Sequence, residues 1–398
     1  MKEKQAFRRV VNTLHLWVGI PCALILFIVC LTGTAYVFQK EIVHWLDREK
    51  YTVKTIDNKP ALKLDSLVHL LESQNKGLKT TVVQIPASKD EAWLFSLAPK
   101  SKGKEAADKI SIKKQTRLLL VNPCTGQVQG NALSTGYRFF DNVVALHRWL
   151  LMDNHAIGGA ITGTAAFLFL FLEITGIILW LPAKLKNWKK WTLWRPGFVL
   201  KWNGGWKRKN HDLHKVLGFY TFLLITILAV TGPYFAYEWY RKPFAALFGA
   251  QPVKKETAVK KQTGHKPADH KMTLDSALTL ADHAFPYNGD LRLNMPKGGN
   301  GSLTISKVET GFFASPGTDR IEIDLSLGRI KKIDAFQSRT FGEKIITSIR
   351  AIHTGEILGT FSKIIYFIAC LLATSLPVTG VFIWINKNKK KKTVTRKA

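Results

Sequence analysis

The stretch His15-Leu16-Trp17-Val18-Gly19 decides the fold, because His214-Lys215-Val216-Leu217-Gly218 repeats its outline 199 residues later. In each copy an apolar run follows, and a Thr-Gly step, Thr32-Gly33 or Thr231-Gly232, begins thirteen residues after the glycine. Identical spacing at two distant places indicates that one unit was duplicated.

The unit has a second part that also occurs twice. His147 precedes an apolar run that ends in Thr175-Gly176, and His353 precedes one that ends in Thr379-Gly380, at offsets of 206 and 204 residues. Duplicated membrane units tend to place a shared site on their pseudo-symmetry axis. We therefore expect the matched histidines to face each other in pairs.

Long apolar runs predict four membrane spans. The runs are Leu16–Phe38, Ile157–Leu181, Val216–Tyr237 and Ile364–Ile385. Each has about 20 residues, which is enough for a helix to cross the hydrocarbon core. The first run lacks a small-residue cleavage site and continues into Gln39-Lys40-Glu41, which favours a retained span over a signal peptide.

The formal net charge of +30 is unevenly distributed along the chain. Residues 1–14, 182–213 and 386–398 hold 20 Lys and Arg but only two acids, Glu3 and Asp212. All three segments lie on one side of a four-span topology, so we expect that side to be cytoplasmic and to contact anionic membrane lipids. Because no nucleic-acid-binding module accompanies the basic runs, we expect no nucleic-acid partner.

The two segments on the opposite side share a pattern. Each opens with Leu-Asp-Ser before a helix-like stretch, continues into an alternating apolar run and ends with a hairpin signal. The helices are expected at Leu67–Leu71 and Ala277–Ala284, the strands at Thr80–Ile85 and Ser302–Ile305, and the hairpins at Val121–Val128 and Ile323–Ile330. Each segment is thus predicted to be a small α+β module.

The predicted fold is an α-helical membrane protein with α+β extracytoplasmic modules, in which each of two repeats has two transmembrane helices and one module. The expected boundaries are 1–46 for the cytoplasmic amino terminus and first span, 47–145 for the first module, 146–181 for the second span, 182–213 for a basic Trp-rich cytoplasmic loop, 214–240 for the third span, 241–350 for the second module, 351–385 for the fourth span and 386–398 for a basic cytoplasmic tail.

The paired His motifs, the Thr-Gly-apolar-Trp span ends and the stretch His211-Asp212-Leu213-His214 resemble those of the PepSY-associated transmembrane helix family. The resemblance covers nearly the whole chain, and the outer modules look like PepSY domains. It implies a multi-pass protein of the bacterial inner membrane, often iron-regulated, and some members are haem-containing reductases of ferric siderophores. Because fold does not fix function, the chemistry must be argued from the site.

The four matched histidines are candidate haem ligands. An imidazole at the edge of a span needs a polar partner or a metal, and facing helices of a bundle can each supply one axial ligand to haem iron. We predict two haem b groups, one between His15 and His214 and one between His147 and His353, held without the covalent attachment of c-type haems. The alternative is that the rings are interfacial residues bonded to carbonyl groups or lipids.

Further side chains are candidates with open alternatives. Arg148 and Arg350 could pair with haem propionates or could extend to lipid headgroups. His211 lies three residues before His214, so on a helix both share one face, and it is either a substitute ligand or a group that supports the ligand. Its counterpart in the first copy is Asn12.

Glu173 is the one carboxylate deep in an apolar run. An acid inside a membrane is by default a functional candidate, here for proton uptake or contact with a quinol. The alternative is a structural carboxyl group bonded to a hydroxyl such as that of Thr175. The remaining histidines are expected at the surface or the membrane interface: His44, His69, His155, His265, His270 and His283.

These features predict a dihaem reductase that moves electrons across the membrane to a ferric siderophore or other ferric chelate. Reduction releases the iron, because hard oxygen donors hold ferrous iron less tightly. The sequence contains no dinucleotide or P-loop motif, so a membrane quinol or a cytoplasmic reductase would supply the electrons. Two rivals stay open, a non-enzymatic PepSY binding or regulatory protein and a metal or siderophore transport component. A homo-oligomer is compatible with each of them.

Overall fold

Helices make up most of the structure, a computed structural model that describes residues 2–53, 60–99, 116–182, 189–250, 272–296 and 302–395. The helices are α1 (Lys2–Tyr36), α2 (Gln39–Leu46), α3 (Arg48–Tyr51), α4 (Leu64–Gln74), α5 (Thr135–Trp149), α6 (His155–Trp180), α7 (Trp191–Phe198), α8 (Trp206–Ala236), α9 (Glu238–Leu247), α10 (Leu274–Ala284), α11 (Phe341–Thr347), α12 (Ile349–Thr354) and α13 (Gly359–Thr395).

Four of these helices are long and apolar enough to cross a membrane. The candidate spans are Gln5–Tyr36 in α1, His155–Trp180 in α6, Trp206–Ala236 in α8 and Gly359–Asn388 in α13. The four predicted spans are therefore confirmed. Helix α1 packs against α6 and α13, and α8 packs against the same two helices. The spans thus form a closed ring of four, in which each helix touches two neighbours.

The segment between the first and second spans and the segment between the third and fourth spans contribute the strands of one antiparallel sheet. Its strands are β1 (Leu78–Ile85), β2 (Trp93–Pro99), β3 (Arg117–Val121), β4 (Val128–Asn131), β5 (Gly289–Asn294), β6 (Leu303–Glu309), β7 (Thr318–Asp324) and β8 (Arg329–Asp334). The order is β4-β3-β2-β1-β5-β6-β7-β8. The strands β1 and β5 pair in the middle, with Val83 opposite Leu293.

The sequence analysis treats the two outer segments as separate modules, whereas the structure joins their strands in a single sheet. Each segment does contribute one helix followed by four strands, and the predicted strands lie within β1 and overlap β6. Both predicted hairpins are present, between β3 and β4 and between β7 and β8.

One hydrophobic core spans both halves of the sheet. Helices α4 and α10 bury Leu67, Leu71 and Ala277 against Phe95 of β2 and Ile305 of β6. Alternation in the strands places every second side chain on this face. Two ion pairs of helix α2 connect the sheet to a span. Lys40 of α2 pairs with Asp290 of β5 at 2.9 Å, and Glu41 of α2 pairs with Lys363 of α13.

The two module helices cap each other. The carboxylate of Asp65 in α4 accepts hydrogen bonds from the backbone N–H groups of Leu274, at 2.8 Å, and Asp275. The carboxylate of Asp275 in α10 accepts from those of Leu64, at 3.0 Å, and Asp65. Burial and the adjacent Asp275 carboxylate raise the pKa of Asp65 above its usual 3.8, although the backbone donors oppose that shift.

Short helices outside the ring of spans carry two of the matched histidines. His147 lies in α5, which packs against α1 and α6, and His353 lies in α12, which packs against α8. Helix α5 ends where Leu150 and Leu151 adopt positive φ angles of 53° and 57°. Helix α12 ends at Gly355, whose φ of 81° suits a residue without a Cβ. Both histidines therefore precede their spans on separate helices.

Substitution of Asp65 separates its capping role from its charge. Asp65→Ala removes the acceptor for two backbone donors, and we expect a loss of about 1 kcal/mol in the free energy of unfolding. Asp65→Asn keeps an acceptor oxygen and removes the like charge beside Asp275, so it should be at least as stable as the unaltered protein at neutral pH. Thermal unfolding of the detergent-purified protein measures both.

The contribution of Asp65 to stability should change with pH in one direction. Because the pKa of Asp65 is raised in the folded state, its stabilising contribution is complete below its usual value of 3.8 and is lost as pH rises through the raised value. The advantage of Asp65→Asn should therefore grow between about pH 4 and pH 7. Equal destabilisation by Asn and Ala at neutral pH would contradict this explanation.

Candidate functional site

The four matched histidines meet as two pairs inside the bundle. The ring centroids of His15 and His214 are 6.3 Å apart with an interplanar angle of 87°, and those of His147 and His353 are 6.4 Å apart at 62°. We call the first the sheet-distal pair and the second the sheet-proximal pair. Each pair takes one ring from each half of the chain.

Every ring of the two pairs is held by a threonine of a Thr-Gly step on a neighbouring span. The Nδ1 atom of His15 lies 2.8 Å from Oγ1 of Thr175, and that of His214 lies 2.8 Å from Oγ1 of Thr379. The proximal rings repeat the contact, His147 with Thr32 at 3.1 Å and His353 with Thr231 at 2.8 Å. Each contact joins two helices of the same half.

These contacts fix the tautomer of the imidazoles. Each threonine hydroxyl also lies within hydrogen-bond distance of a carbonyl four residues earlier in its own helix, for example Thr175 to Phe171 at 2.9 Å and Thr379 to Ser375 at 2.9 Å. A carbonyl only accepts, so the hydroxyl proton points there and its oxygen accepts from Nδ1–H of the histidine. Nδ1 of His147 also donates to the carbonyl of Val29 at 3.0 Å, which requires the same tautomer.

With Nδ1 protonated, Nε2 of each neutral ring carries the lone pair. A metal-ligating histidine commonly donates its other N–H to an acceptor, which orients the ring and increases its basicity. The four hydroxyls therefore leave the lone pair on Nε2 in all four rings. We derive this arrangement from the hydrogen-bond geometry, since the positions of the protons follow from their partners.

The glycine of each Thr-Gly step lies under the ring that the threonine holds. A Cβ atom added to Gly33 would be 3.3 Å from Cε1 of His147, and one added to Gly380 would be 3.5 Å from Cε1 of His214. The corresponding distances are 3.6 Å for Gly176 with His15 and 3.7 Å for Gly232 with His353. Absence of a side chain at these positions lets the imidazoles lie close to the facing helix.

The spacing of the rings fits a single metal ion between each pair. A metal–imidazole bond is about 2.0 Å long and the ring centroid lies ~1.1–1.2 Å beyond the nitrogen, so two rings on opposite sides of one ion have centroids roughly 6.3 Å apart. The observed centroid distances of 6.3 and 6.4 Å are thus short enough for both rings of a pair to reach one ion. Among the described residues no group of three or more His, Cys, Asp or Glu side chains has metal-site geometry. Within that part of the chain, neither pair belongs to a larger group of such side chains.

A cavity of about 480 Å³ contains the sheet-distal pair. Its walls come from all four spans and include Gly19 and Gly218, the two glycines of the repeated His motif. The remaining walls are mostly apolar, with Phe169, Leu172 and Phe222 among them. A concave apolar space with two convergent imidazoles has the character of a site for a flat, largely apolar cofactor such as haem.

The two pairs lie far apart along the bundle. On α1, His15 belongs to the distal pair and Thr32, seventeen residues later, holds a ring of the proximal pair. His214 and Thr231 have the same separation on α8. At 1.5 Å per residue the two levels are about 25 Å apart, which is most of the roughly 30 Å hydrocarbon thickness.

The family comparison agrees with this architecture. Residues 13–387 match the model of the family described as PepSY-associated TM region. The chain belongs to this family. A comparison with curated proteins finds no match. Membership in a family of PepSY-associated membrane proteins confirms the resemblance inferred from the His motifs, and the match includes all four histidines and all four Thr-Gly steps.

The other predicted site residues lie at the margins of the two pairs. The Arg148 guanidinium lies 4.6 Å from the centre of the Trp149 ring, and both Arg148 and Arg350 are exposed. His211 lines the mouth of the distal cavity, with Nδ1 3.9 Å from a carboxylate oxygen of Asp212, and its side chain is 61% exposed. Their roles stay predictions.

Glu173 is buried and lines the distal cavity. Its carboxyl group lies 3.3 Å from the hydroxyl of Thr226 in α8. The sequence analysis offers Thr175 as the partner, but the hydroxyl of Thr175 contacts His15 and its own helix instead.

Four of the other histidines lie outside both pairs. His44 stacks on Tyr51 with centroids 4.0 Å apart, and His155 stacks on Trp149 at 3.9 Å. His69 and His283 are exposed on the module helices. The remaining two, His265 and His270, lie outside the described residues.

The threonines are the site residues that the sequence analysis missed. It recognises the Thr-Gly steps as repeated but does not connect their hydroxyl groups with the histidines. The signal was present, because a hydroxyl residue precedes the glycine in all four steps. What the pattern does not give is which histidine each step faces, since that depends on how the spans pack.

Valine substitution tests the orienting bonds. Thr175→Val or Thr379→Val leaves a buried Nδ1–H without its acceptor, and we expect each to destabilise the protein by roughly 1–3 kcal/mol. Thr221→Val is the matched control, because Thr221 is equally buried but its hydroxyl bonds only to Leu217 of its own helix. The apparent melting temperature in detergent is the measurement. Equal melting temperatures in all three variants would contradict the proposed contacts.

Proposed function

We propose that the chain is a dihaem membrane reductase that transfers electrons to an extracytoplasmic ferric siderophore or ferric chelate. The observation that supports this proposal best is the arrangement of the four imidazoles in two pairs. In each ring the lone pair on Nε2 could ligate a metal, and the ring centroids within the two pairs are 6.3 and 6.4 Å apart. Four unrelated interfacial histidines would have no reason to share the same type of threonine partner, the same tautomer and the same ring spacing.

The chain would hold two haem b groups, with His15 and His214 on one iron and His147 and His353 on the other. Haem supplies one-electron redox chemistry when it is bound between two histidines. The threonines would hold the rings and tune their basicity, since loss of such supporting bonds typically weakens metal binding 10–100-fold. Glycines 33, 176, 232 and 380 would keep the rings close to the facing helices.

The separation of the two sites suits electron transfer across a bilayer. The distal pair lies toward the end of the bundle that carries the basic amino terminus, and the proximal pair lies toward the end at which the first span leads to the sheet segments. With the basic segments in the cytoplasm of a bacterial inner membrane, electrons would enter at the distal site and leave at the proximal site. A membrane quinol or a cytoplasmic reductase would be the donor.

The ferric substrate would bind on the sheet side. Lys and Arg outnumber Asp and Glu in both outer segments, so an anionic ferric complex would be attracted there. Arg148 and Arg350 would pair with propionates of the proximal haem as fork-shaped donors. His211 would support the distal site. One electron to the ferric ion is sufficient, because ferrous iron leaves hard oxygen ligands readily.

A reduced-minus-oxidised visible spectrum of the detergent-purified protein tests haem binding. We expect an α-band that corresponds to two b-type haems per chain. His15→Ala and His353→Ala should each lose about one haem, while His69→Ala, which changes an exposed module histidine, should keep both. A folded wild-type protein without an α-band would overturn the proposal and favour a non-enzymatic binding or transport role.

Electron delivery is a separate measurement on the same protein. In proteoliposomes loaded with a reductant, the haems should be oxidised when a ferric siderophore is added outside, and ferrous iron should appear in a chelator trap. His353→Ala should abolish both signals, because it removes a ligand of the sheet-side haem. Unchanged ferrous iron formation in this variant would contradict the electron path.

Orientation can be tested with introduced cysteines in a Cys124→Ser background. Ser88→Cys, on the sheet side, should react with a membrane-impermeant maleimide in spheroplasts. Asn203→Cys, in the basic loop, should react only after the membrane is opened. Both positions are exposed, and the proposed topology places them on opposite sides of the membrane. Labelling with the reverse pattern would contradict the cytoplasmic location of the termini.

A further inference from the structure

Glu173 is the only acidic residue in the four apolar runs that predict the spans. It is 8% exposed, it lies on α6 and it lines the cavity that contains His15 and His214. Its hydrogen-bond partner is the neutral hydroxyl of Thr226, 3.3 Å away. None of the ion pairs among the described residues involves its carboxyl group. Because a buried acid without a cation partner is costly inside a membrane, its position beside this cavity indicates a functional role.

The pseudo-symmetry of the chain makes this position unusual. The residue that corresponds to Glu173 in the second half is Pro377, which lines the same cavity, and the residue that corresponds to Thr226 in the first half is Phe27. The acid and its hydroxyl partner therefore have no matching acid and hydroxyl in the other half of the chain. The histidines, threonines and glycines of the site are duplicated, so holding a cofactor does not require this pair.

The cavity that Glu173 lines also has polar side chains in its walls. The cavity extends from the depth of Phe169 and Glu173 to polar groups nearer the ends of the spans, namely Arg8, Asn12, His211 and Lys215. The Arg8 guanidinium is occupied by carbonyl oxygens of Ile178, Leu179 and Leu181 at the end of α6.

Ionisable groups lie near Glu173 on α1 and α8. The thiol of Cys30 on α1 is close enough to interact with its charge, and Cys370 on α13 lies near Cys30. On α8, His214, His211 and Lys215 share the cavity, as does His15 on α1.

We propose that Glu173 binds the proton that accompanies each electron arriving at the sheet-distal site. This inference rests on the proposed function, because it requires a redox cofactor between His15 and His214. An electron that enters the cavity removes one unit of positive charge from a region of low dielectric. Such a change favours protonation of a nearby carboxylate, because the interaction between charges is strong where water is excluded.

The step balances in charge. One electron arrives from the donor, one proton arrives from the cytoplasm through the polar mouth of the cavity, and the carboxylate of Glu173 becomes a carboxyl group. When the electron moves on to the sheet-proximal site, the proton returns by the same route. No net charge then accumulates in the cavity, and the hydroxyl of Thr226 can contact the side chain in both states.

A redox titration at several pH values tests the proposal without any turnover assay. The purified protein is titrated in detergent, and the component that disappears in His15→Ala identifies the distal haem. In the wild type we expect its midpoint potential to fall as pH rises, by up to about 59 mV for each tenfold decrease in proton activity. Glu173→Gln should remove this dependence, and Glu173→Asp should retain it.

A control variant separates Glu173 from other acids. Glu41→Gln changes an acid that pairs with Lys363 outside the cavity. This variant should keep the pH dependence.

Three results would each be decisive. Equal slopes in wild type and Glu173→Gln, or a wild-type potential that does not change with pH, would overturn the role of Glu173 while the haem spectrum still supported the proposed function. Absence of haem from the wild type would overturn the proposed function itself.

Discussion

The hydrogen bond from a histidine Nδ1–H to a threonine hydroxyl is the interaction on which the proposed site depends. It occurs four times, at 2.8 to 3.1 Å, and each time the threonine oxygen is left as an acceptor because its proton goes to a carbonyl one turn earlier. The bond therefore sets which nitrogen is protonated and where the ring lies. It also satisfies a polar group that would otherwise be costly inside a membrane.

The same set of residues recurs in both halves of the chain. Each half supplies one ring to each pair, and its own Thr-Gly steps hold that ring, so both pairs lie between the halves. The sheet repeats this arrangement, since β1 and β5 pair at its centre and Asp65 and Asp275 cap each other's helices. Contacts at both ends of the molecule thus fix the two halves in one relative position.

Much of the fold could be predicted because it is local in the sequence. Apolar runs of about 20 residues locate the spans, and the similar offsets between copies, 199 to 206 residues, match the four histidines in pairs. The union of both modules in one sheet could not be predicted, because the alternation in Thr80–Ile85 is the same for an edge strand and a central strand. The separate helices α5 and α12 were also missed, since the turn at Leu150 and Leu151 uses residues that are uncommon at positive φ.

The contacts of the site depend on packing between spans, which a periodic sequence does not encode. The Thr-Gly steps were visible, but the assignment of Thr175 to His15 rather than to Glu173 required the structure. The sequence also singles out Glu173, but its connection with the site required the structure. Neither Glu173 nor Thr226 has a matching residue in the other half, and only the position of Glu173 in the cavity wall connects it to the histidines.

Anomalous X-ray diffraction at the iron absorption edge, from crystals of the protein purified with its native cofactors, tests the central claim most directly. The account predicts two iron peaks per chain, one midway between the Nε2 atoms of His15 and His214 and one midway between those of His147 and His353. A map without iron at either position, with the four Nε2 atoms bonded to water, lipid or protein groups, would contradict it.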